Sequence, residues 1–594
     1  MTEWYGWAGT ILNVDLTSMK VYIEELSPEF ARNYIGGCGF GARILYDEVD
    51  PEVDPLSPEN VVIIGNGVLS GTITPGTSRY NVISKSPLTG IYVRSSGGGF
   101  FGPELKLAGY DLIVIRGKAE KPVYLWINDD HVEIRDASHL WGKDTWTTQQ
   151  TIRAELNNPD IQTLKIGPAG ENMSNYAALI GNLGRAASNF CIAAVWGSKN
   201  LKAVAVNGNR EVRLAKPEEF ISLCNELTAR ARSDPRYESR STWGTIGFVQ
   251  NPEIWKGAPN PLHHTAFTEH YEKNISCFGC HLHCAQFHHV KSGRHQGVTG
   301  ESIEGGPRGR LMRLEIKDPG FAVKYNNLCD QLGVNVSHLA EALWWAMKRY
   351  ERRVLTPEDT DGLDLTWGDE EVILKVLHQV AYREGFGETL SPWPRGVAER
   401  LGKGLEEESP HVKGGYHYRI EEMENIGAAF GLSVSTRGGD HQMGEAPRQA
   451  INALCDMTGT CKWAIASEEG GIHMDDFARL LSLATGVEFT VADLVNATER
   501  ELLLARAFNA REGIRRVDDY PYPFHFQLKY GRKHPYYDYS GFGFSLEEYD
   551  RMLDEYYRQH GCDPETGIPS RERLESLGLR DVADDLDRRG ILPL

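Results

Sequence analysis

Three cysteines lie within eight residues, at Cys277, Cys280 and Cys284. Two thiolates three residues apart and a third four residues further on can point at one small metal centre, and four-iron clusters take four such ligands. Zinc is the alternative, because Cys-x-x-Cys opens many zinc sites and His281 and His283 lie inside the segment. No second Cys-x-x-Cys occurs in the sequence, which favours an iron–sulfur cluster completed by a remote cysteine.

Two later segments share the pattern Asp-x-x-Gly. They are residues 330–335, preceded by Cys329, and residues 456–461, which end in Cys461. Two similar loops can lie on either side of one ligand. The second loop also supplies a cysteine that could complete the set of four.

Carboxylates and a histidine occur in two glycine-rich segments. Glu301 and Glu304 lie among glycines and the arginines Arg308 and Arg310, and His441 follows Arg-Gly-Gly-Asp. Such residues suit a site, although glycine-rich acidic loops are also common on surfaces. Both interpretations stay open for the segment that contains Glu301.

Two arginines adjoin glycine-lined loops in the first third of the chain. Arg79 follows Pro-Gly-Thr-Ser, and Arg185 follows Gly184. An arginine fork beside backbone amides is a common grip for a diphosphate group. The glycines at 36–41 do not match the dinucleotide fingerprint, and we expect loops at 36–41, 97–102 and 181–186.

The elements that carry these residues change character along the chain. Residues 1 to about 210 predict a β-sheet domain rather than a βαβ repeat, with a hairpin at 10–25 and one helix at 144–156. Further strands are predicted at 61–64, 80–84, 111–116, 123–128 and 132–135.

Beyond residue 210 the periodicity is helical. Helices are predicted at 217–232 and from residue 337, and Ser545 opens a capping box for a helix that stops at Gly561. A composition shift near 406–415 predicts a linker, and we place a domain boundary near Leu405.

Composition excludes several classes of function. The chain has 594 residues and a formal net charge of −19, so nucleic acid and anionic membranes are poor partners. No apolar stretch approaches the roughly 20 residues that span a bilayer, and a thiolate cluster needs a reducing compartment. We expect a cytoplasmic protein whose oligomeric state stays open.

These motifs together make the sequence similar to the aldehyde ferredoxin oxidoreductases, which hold a tungsten or, less often, molybdenum bis-pterin beside one [4Fe–4S] cluster. The resemblance covers the sheet domain, the cysteine run, both Asp-x-x-Gly segments and the tail around Gly561 and Leu577. It implies an α+β fold in which a β-rich domain (1–210) seats the pterins. Two mainly helical domains follow, at 211–405 and 406–594.

The resemblance also implies roles for individual residues. The cluster ligands would be Cys277, Cys280, Cys284 and Cys461. The pterins would be contacted by Asp330, Gly333, Val334, Asn335, Asp456, Gly459 and Thr460. The pterin phosphates and a bridging magnesium would be contacted by Arg79, Ser96, Arg185 and Ala186. The catalytic residues would be Glu301 and His441.

Four positions depart from the family pattern. Asn335 stands where Asp is common, Ser96 where Asn is common, Val334 for Leu, and Met443 where a basic residue is frequent. The spacing from Glu301 to the first pterin motif is also long, so Glu304 stays a rival for the catalytic role. We expect the other six cysteines to be buried and apolar in character.

The resemblance implies oxidation of aldehydes to carboxylic acids, or the reverse, with electrons passed singly to ferredoxin or to small iron–sulfur or flavin subunits. One alternative is the tungsten subunit of a benzoyl-CoA reductase complex. Another, from a different class, is a non-catalytic iron–sulfur or zinc electron-transfer subunit.

Overall fold

The computed structural model describes residues 3–244, 262–302, 310–405, 411–416, 426–439, 446–465, 471–520, 533–534, 537–538 and 545–593. Two six-stranded sheets form the first third of the chain, and helices dominate the remainder. The predicted α+β architecture is therefore confirmed. Within the described residues, no helix combines the length and apolar character needed to cross a membrane.

The first sheet has the strand order β2-β1-β6-β3-β4-β5. Its strands are β1 Thr10–Asp15, β2 Lys20–Glu25, β3 Val62–Asn66, β4 Tyr80–Lys85, β5 Tyr92–Gly97 and β6 Leu112–Arg116. The second sheet has the order β8-β7-β12-β9-β10-β11. Its strands are β7 Val123–Asn128, β8 His131–Asp136, β9 Gln162–Ile166, β10 Leu179–Gly181, β11 Arg185–Ala187 and β12 Leu201–Asn207.

The two sheets have the same topology. In the first sheet β1 pairs in parallel with β6, and in the second sheet β7 pairs in parallel with β12. Every other neighbouring pair of strands in the two sheets is antiparallel. Strand β3 therefore corresponds to β9, β4 to β10, and β5 to β11. This internal repeat provides two equivalent places at which later segments of the chain can dock.

The first sheet is buried on both faces. Ile64 and Val82 pack in the core shared with the second sheet, whereas Ile63 and Ile83 pack in the core shared with C-terminal helices. Successive side chains of a strand point to opposite faces, so doubly buried strands read as continuous apolar runs. That is why β3, β6 and β7 were predictable from sequence.

The helices of the described residues connect and cover the sheets. They are α1 Pro28–Tyr34, α2 Gly37–Glu48, α3 Phe101–Leu107, α4 Thr145–Glu155, α5 Pro168–Glu171, α6 Ile192–Ser198, α7 Pro217–Arg232, α8 Tyr237–Trp243, α9 Pro319–Leu332, α10 Val336–Glu351, α11 Glu370–Tyr382, α12 Gly385–Leu390, α13 Arg395–Leu401, α14 Ile426–Ser433, α15 Ala446–Thr458, α16 Lys462–Ile465, α17 Met474–Thr485, α18 Val491–Arg511, α19 Leu546–His560, α20 Arg571–Ser576 and α21 Arg580–Arg588.

The predicted Ser545 cap and the stop at Gly561 are confirmed for the C-terminal helix, whereas the reciprocal bond of the predicted capping box is not formed among the described residues. The Ser545 side chain accepts a hydrogen bond from the Glu548 N–H, and Gly561 ends α19 with a φ of 66°. A left-handed residue at this position is the usual role of glycine after a helix.

Three short sheets complete the strands. The three-stranded sheet contains β13 Tyr271–Ile275, β14 Ala285–His289 and β15 Thr299–Ser302, and the two hairpins pair β16 His411–Val412 with β17 Gly415–Tyr416 and β18 Lys533–His534 with β19 Tyr537–Asp538. The cysteine run joins β13 to β14, and Glu301 lies on β15.

Two local predictions were wrong. Residues 36–41 begin helix α2 instead of forming a loop, because their glycines let the helix approach other backbone closely: a Cβ on Gly37 would lie 2.0 Å from the Asp456 carbonyl oxygen. Residues 406–410 of the predicted linker lie outside the described residues, and residues 411–416 form the hairpin of β16 and β17 instead of a linker. The buried Lys413 Nζ lies 2.5 Å from Asp519 Oδ1. The boundary near Leu405 stays a prediction.

Candidate active site

The two Asp-x-x-Gly segments are the C-terminal ends of two helices. Helix α9 ends at Gly333 with a φ of 69°, and α15 is followed by Gly459 with a φ of 82°. In each case the N–H after the glycine donates to the carbonyl of the cysteine that precedes the aspartate. The donor–acceptor distances are 2.8 Å for Val334 N to Cys329 O and 3.0 Å for Thr460 N to Cys455 O.

Each helix end docks on an equivalent place in the repeated sheets. The Gly333 carbonyl accepts a hydrogen bond from Ala178 N at 2.7 Å, and the Gly459 carbonyl accepts one from Arg79 N at 3.0 Å. Ala178 directly precedes β10 and Arg79 directly precedes the corresponding strand β4. The internal repeat of the sheet domain thus extends to the segments that were predicted to contact the pterins.

Glycines after β3 and β9 make this close docking possible. A Cβ on Gly67 would lie 1.9 Å from Gly459 N, and a Cβ on Gly167 would lie 2.5 Å from the Leu332 carbonyl carbon. No side chain fits at either distance. These two glycines were not singled out by sequence reasoning, because no spacing rule connects them to residues so far along the chain.

Asp456 sits in a cationic environment. Its Oδ2 lies 3.4 Å from Arg94 Nε and 4.0 Å from Lys462 Nζ, and its Oδ1 accepts a hydrogen bond from Ser96 Oγ at 3.1 Å. Burial alone would raise the pKa of Asp456. The charges of Lys462, Arg94 and neighbouring arginines outweigh burial and hold that pKa at about 2.

The pKa of Asp330, the equivalent residue at the end of α9, is shifted in the opposite direction. Its Oδ2 accepts a hydrogen bond from Asn326 Nδ2 at 3.0 Å. Burial raises the pKa of Asp330 well above its usual value, and the charge of Glu301 raises it further against the opposing charges of Arg185 and Lys165. The pKa values of the two equivalent aspartates are therefore shifted in opposite directions, upwards at Asp330 and downwards at Asp456.

Glu301 and Arg185 adjoin Asp330. Arg185 Nη2 lies 3.3 Å from Glu301 Oε2, and both side chains are largely buried. This contact is an ion pair without hydrogen-bond alignment, so Glu301 Oε2 has no hydrogen-bond partner. A Cβ on Gly184 would meet Asp330 Oδ2 at 3.1 Å and Glu301 Cβ at 4.0 Å. The structure thus brings these predicted site residues together.

The four predicted cluster cysteines are neighbours. Burial, with the charges of Cys461 and Cys277, raises the pKa of Cys284 to about 12. The same neighbours and Cys284 act on Cys280, whose pKa burial also raises. Thiols gathered in one place are the donor set that an iron–sulfur cluster or a zinc ion takes.

Arg79 connects the cysteines to the sheet domain. Its Nη2 donates to the Ser96 carbonyl at 3.3 Å, and its Nη1 lies 4.0 Å from Cys461 Sγ. Cys461 N donates to Gly76 O at 2.9 Å, and a Cβ on Gly98 would lie 3.2 Å from Cys277 Sγ. One buried guanidinium thus spans the cysteine group and strand β5.

The remaining predicted residues have mixed surroundings. Ala186 is exposed on β11, and Thr460 is buried with its Oγ1 2.9 Å from Thr458 Oγ1. Asn335 Oδ1 accepts the N–H groups of Ser337 and His338 at the start of α10. Its Nδ2 donates to the Ser188 carbonyl at 2.8 Å, which an aspartate could not do. That bond accounts for Asn at this position.

Two predicted residues cannot be compared with the structure, because His441 and Glu304 lie outside the described residues. The six cysteines that we expected to be buried are all buried: Cys38, Cys191, Cys224, Cys329, Cys455 and Cys562.

Sequence reasoning missed the residues that surround Asp456. Arg94 on β5 bridges Asp456 and Glu501, whose Oε1 lies 2.6 Å from Arg94 Nη1. Tyr92 Oη donates to the same carboxylate oxygen at 3.0 Å. The signal in the sequence was weak, because Arg94 is followed by two serines and a glycine instead of an apolar run.

One other group of metal-ligand types occurs in the described part of the chain. His295, Asp318 and Glu370 place one ligand atom each within 4.8 Å of one another. Glu370 already pairs with His295 Nε2 at 2.9 Å and with Arg294 Nη1 at 3.2 Å, and Asp318 caps helix α9. These contacts account for the group as ion pairs and a helix cap.

The site and the repeated sheets define a class of protein. Residues 11–208 match the family model for the N-terminal domain of aldehyde ferredoxin oxidoreductase, and residues 237–579 match the model for its domains 2 and 3. The chain belongs to the aldehyde ferredoxin oxidoreductase family.

Individual relatives match over nearly the whole length. The chain is 33% identical to the tungsten-containing aldehyde ferredoxin oxidoreductase of Pyrococcus furiosus, over 97% of this chain and 100% of the relative. It is 30% identical to the aliphatic sulfonate oxidoreductase, WOR-like subunit, of the same organism, over 98% and 99% of the two chains. A solved structure, the active-site complex BamBC of benzoyl coenzyme A reductase with 1,5-dienoyl-CoA, superposes with a TM-score of 0.85 over 100% of both chains at 27% identity.

Proposed function

We propose that this protein is an oxidoreductase that binds a tungsten or molybdenum bis-pterin and a [4Fe–4S] cluster and converts aldehydes to carboxylic acids. The observation that carries the proposal is the docking of two equivalent Asp-x-x-Gly helix ends on the repeated sheets beside four neighbouring cysteines. Family membership supports the tungsten pterin. The [4Fe–4S] cluster, a magnesium ion that bridges the pterin phosphates, and the aldehyde substrate are further parts of what we propose.

Each half of the cofactor would be held by one helix end. Asp330 with the backbone to Asn335 would hold one pterin, and Asp456 with the backbone to Thr460 would hold the other. Arg79 and Arg185 would pair with the phosphates, and the carbonyls of Ser96 and Ala186 suit magnesium, which prefers oxygen ligands. Buried atoms without hydrogen-bond partners support this fit: Arg79 Nε, Asp456 Oδ2 and Glu301 Oε2.

The spacing of the cysteines supports a cluster over zinc. Sulfur atoms around a tetrahedral zinc lie about 3.8 Å apart, because Zn–S bonds are about 2.3 Å long. Among the described residues, the group with ligand atoms within 4.8 Å of one another contains no cysteine. A four-iron cluster accepts wider spacing, because each thiolate binds a different iron.

The protein residues would bind and orient the substrate and move protons. When bound, the pterin-held metal supplies the two-electron redox chemistry. Conversion of an aldehyde and water to a carboxylic acid releases two protons and two electrons. Glu301 or His441, when protonated, would donate a hydrogen bond to the aldehyde oxygen, and the carboxylate of Glu301 would accept a proton.

The electrons would leave one at a time through the cysteine-held cluster. Ferredoxin, which appears in the name of the tungsten-containing aldehyde ferredoxin oxidoreductase of Pyrococcus furiosus, suits this one-electron step. Small iron–sulfur or flavin subunits are the alternative acceptors. Arg79, which lies between the cysteines and the Asp456 segment, is the protein group that links the two redox positions.

Benzoyl-CoA reduction is the second candidate, favoured by the full-length superposition on the BamBC complex. The experiment that separates the candidates is an anaerobic assay with viologen dyes. The aldehyde proposal expects aliphatic or aromatic aldehydes to reduce oxidised viologen. It expects no oxidation of reduced viologen by aromatic CoA thioesters and no reduction of oxidised viologen by dienoyl-CoA. Turnover of the thioesters alone would replace the first candidate with the second.

A further inference from the structure

Two exposed apolar side chains flank the segment that carries Cys277 and Cys280. Ile73 is 53% exposed and Phe100 is 40% exposed. Isolated apolar side chains are common on surfaces, so exposure alone indicates nothing. These two, however, belong to the two loops that contact the cysteine segment.

The contacts are specific. Phe278 N donates to the Gly99 carbonyl at 3.1 Å, and the rings of Phe278 and Phe100 meet edge to face with centroids 6.4 Å apart. The loop that carries Ile73 contacts the following residue of the segment: a Cβ on Gly279 would lie 3.4 Å from the Thr72 carbonyl oxygen. Thr72 directly precedes Ile73 in the chain.

Gly279 is exposed. Apart from its chain neighbours, the Thr72 oxygen is the one atom of the described residues that lies within 4 Å of a Cβ built on Gly279. Within that part of the chain, no side chain covers the backbone of this glycine. Single-electron transfer benefits from the short approach that an uncovered backbone allows.

A cationic corner adjoins the cysteine segment. Tyr237, the first residue of α8, donates from its hydroxyl to the His281 carbonyl at 2.7 Å. The corner that ends α7 and begins α8 exposes Arg232, Arg236 and Glu238. Asp234, which pairs with Arg236, and Arg240, which donates to the Trp463 carbonyl, are buried. The two exposed arginines can pair with carboxylates of an acidic partner, although the whole chain has a formal net charge of −19.

We infer that Ile73, Phe100, Phe278 and Gly279, together with this corner, form the docking face for a small acidic iron–sulfur protein that takes electrons from the cysteine-held cluster. Apolar side chains at the centre of an interface and charges at its rim are the usual arrangement. The inference rests on the proposed function for its electron-transfer role, and its contacts can be tested separately by binding.

The test compares Ile73→Glu and Phe100→Glu with Ile23→Glu. Ile23 is 55% exposed on β2, at the opposite edge of the first sheet from β5, and provides a control of matched type and exposure. The dissociation constant of an acidic [4Fe–4S] ferredoxin is measured by calorimetry on the anaerobic holoenzyme. The rate of aldehyde oxidation with benzyl viologen is measured on the same samples.

We expect each of the two face variants to weaken ferredoxin binding by about tenfold, with iron content and the dye-linked rate within twofold of the parent, and the control to leave all three unchanged. Unchanged binding in both face variants, equal weakening in Ile23→Glu, or no ferredoxin binding by the parent would overturn the docking face. Absence of dye-linked aldehyde oxidation in the parent would instead overturn the proposed function, while the binding ratios still test the face.

Discussion

At the scale of single residues, Glu301 is the carboxylate best placed for proton transfer. It has a buried oxygen without a hydrogen-bond partner and lies beside Arg185 and Asp330. The resemblance named Glu301, Arg185 and Asp330 as site residues, but the sequence could not show that they lie side by side, because they come from three separate segments. Only the fold brings strand β15, strand β11 and the end of α9 together.

Replacing Glu301 by Gln should lower aldehyde turnover by about 10² to 10⁴, because Gln keeps the shape and removes the proton-transferring group. Tungsten and iron contents, measured by elemental analysis, should stay unchanged. Glu272→Gln, on β13 of the same small sheet, is the matched control and should keep full activity. Full turnover in Glu301→Gln would move the role to Glu304 or His441.

The two equivalent aspartates should respond oppositely to neutralisation. Asp456 has a pKa of about 2 against an ordinary 3.8, so its ionised form stabilises the fold above about pH 4 and this contribution is lost as the pH falls towards 2. Asp456→Asn should lower the stability of the metal-free protein at pH 7 by on the order of 2 kcal/mol.

Asp330→Asn should not destabilise the same protein at pH 7. The pKa of Asp330 is raised by burial, so ionisation opposes folding and a neutral amide removes that cost. Thermal unfolding of both variants at pH 7 measures the contrast. Equal destabilisation by the two substitutions would contradict the assigned charge difference.

At the scale of elements, strands with an unbroken run of apolar residues could be predicted from the sequence, whereas strands that carry polar residues at buried positions were missed. Strand β3 reads Val-Ile-Ile and was found, whereas β5 contains Arg94, two serines and a glycine and was missed. Helix α2 begins with glycines, which are poor helix formers. Its backbone must approach the Asp456 carbonyl, a requirement that no local pattern reveals.

The close docking of the α15 end on the sheet predicts what a single added methyl group at Gly67 would do. Gly67→Ala would place a Cβ 1.9 Å from Gly459 N, so the α15 end must shift away from β3. We expect loss of most of the bound tungsten and destabilisation of about 1 to 3 kcal/mol. Tungsten content and the melting temperature provide the measurements.

Gly142→Ala is the control for that substitution, because nothing lies within 4 Å of its Cβ although its φ is 85°. It should lose about 1 kcal/mol from backbone strain and keep its tungsten. Normal tungsten content in Gly67→Ala would show that the helix end does not need this close contact.

At the scale of the whole molecule, an acidic chain must bind an acidic electron acceptor through a local cationic region. Electrons should therefore reach ferredoxin at a rate that falls steeply as ionic strength rises from about 0.01 to 0.5 M, because the screening length shrinks from about 30 Å to a few ångströms. Stopped-flow measurement of ferredoxin reduction tests this. A rate independent of salt would contradict charge-guided docking.

The central claim is that four cysteines and two equivalent helix ends hold a cluster beside a metal-bearing pterin pair. Elemental analysis of anaerobically purified protein tests it most directly. The account predicts one tungsten or molybdenum and about four irons per chain. Zinc without tungsten, molybdenum or iron would contradict it.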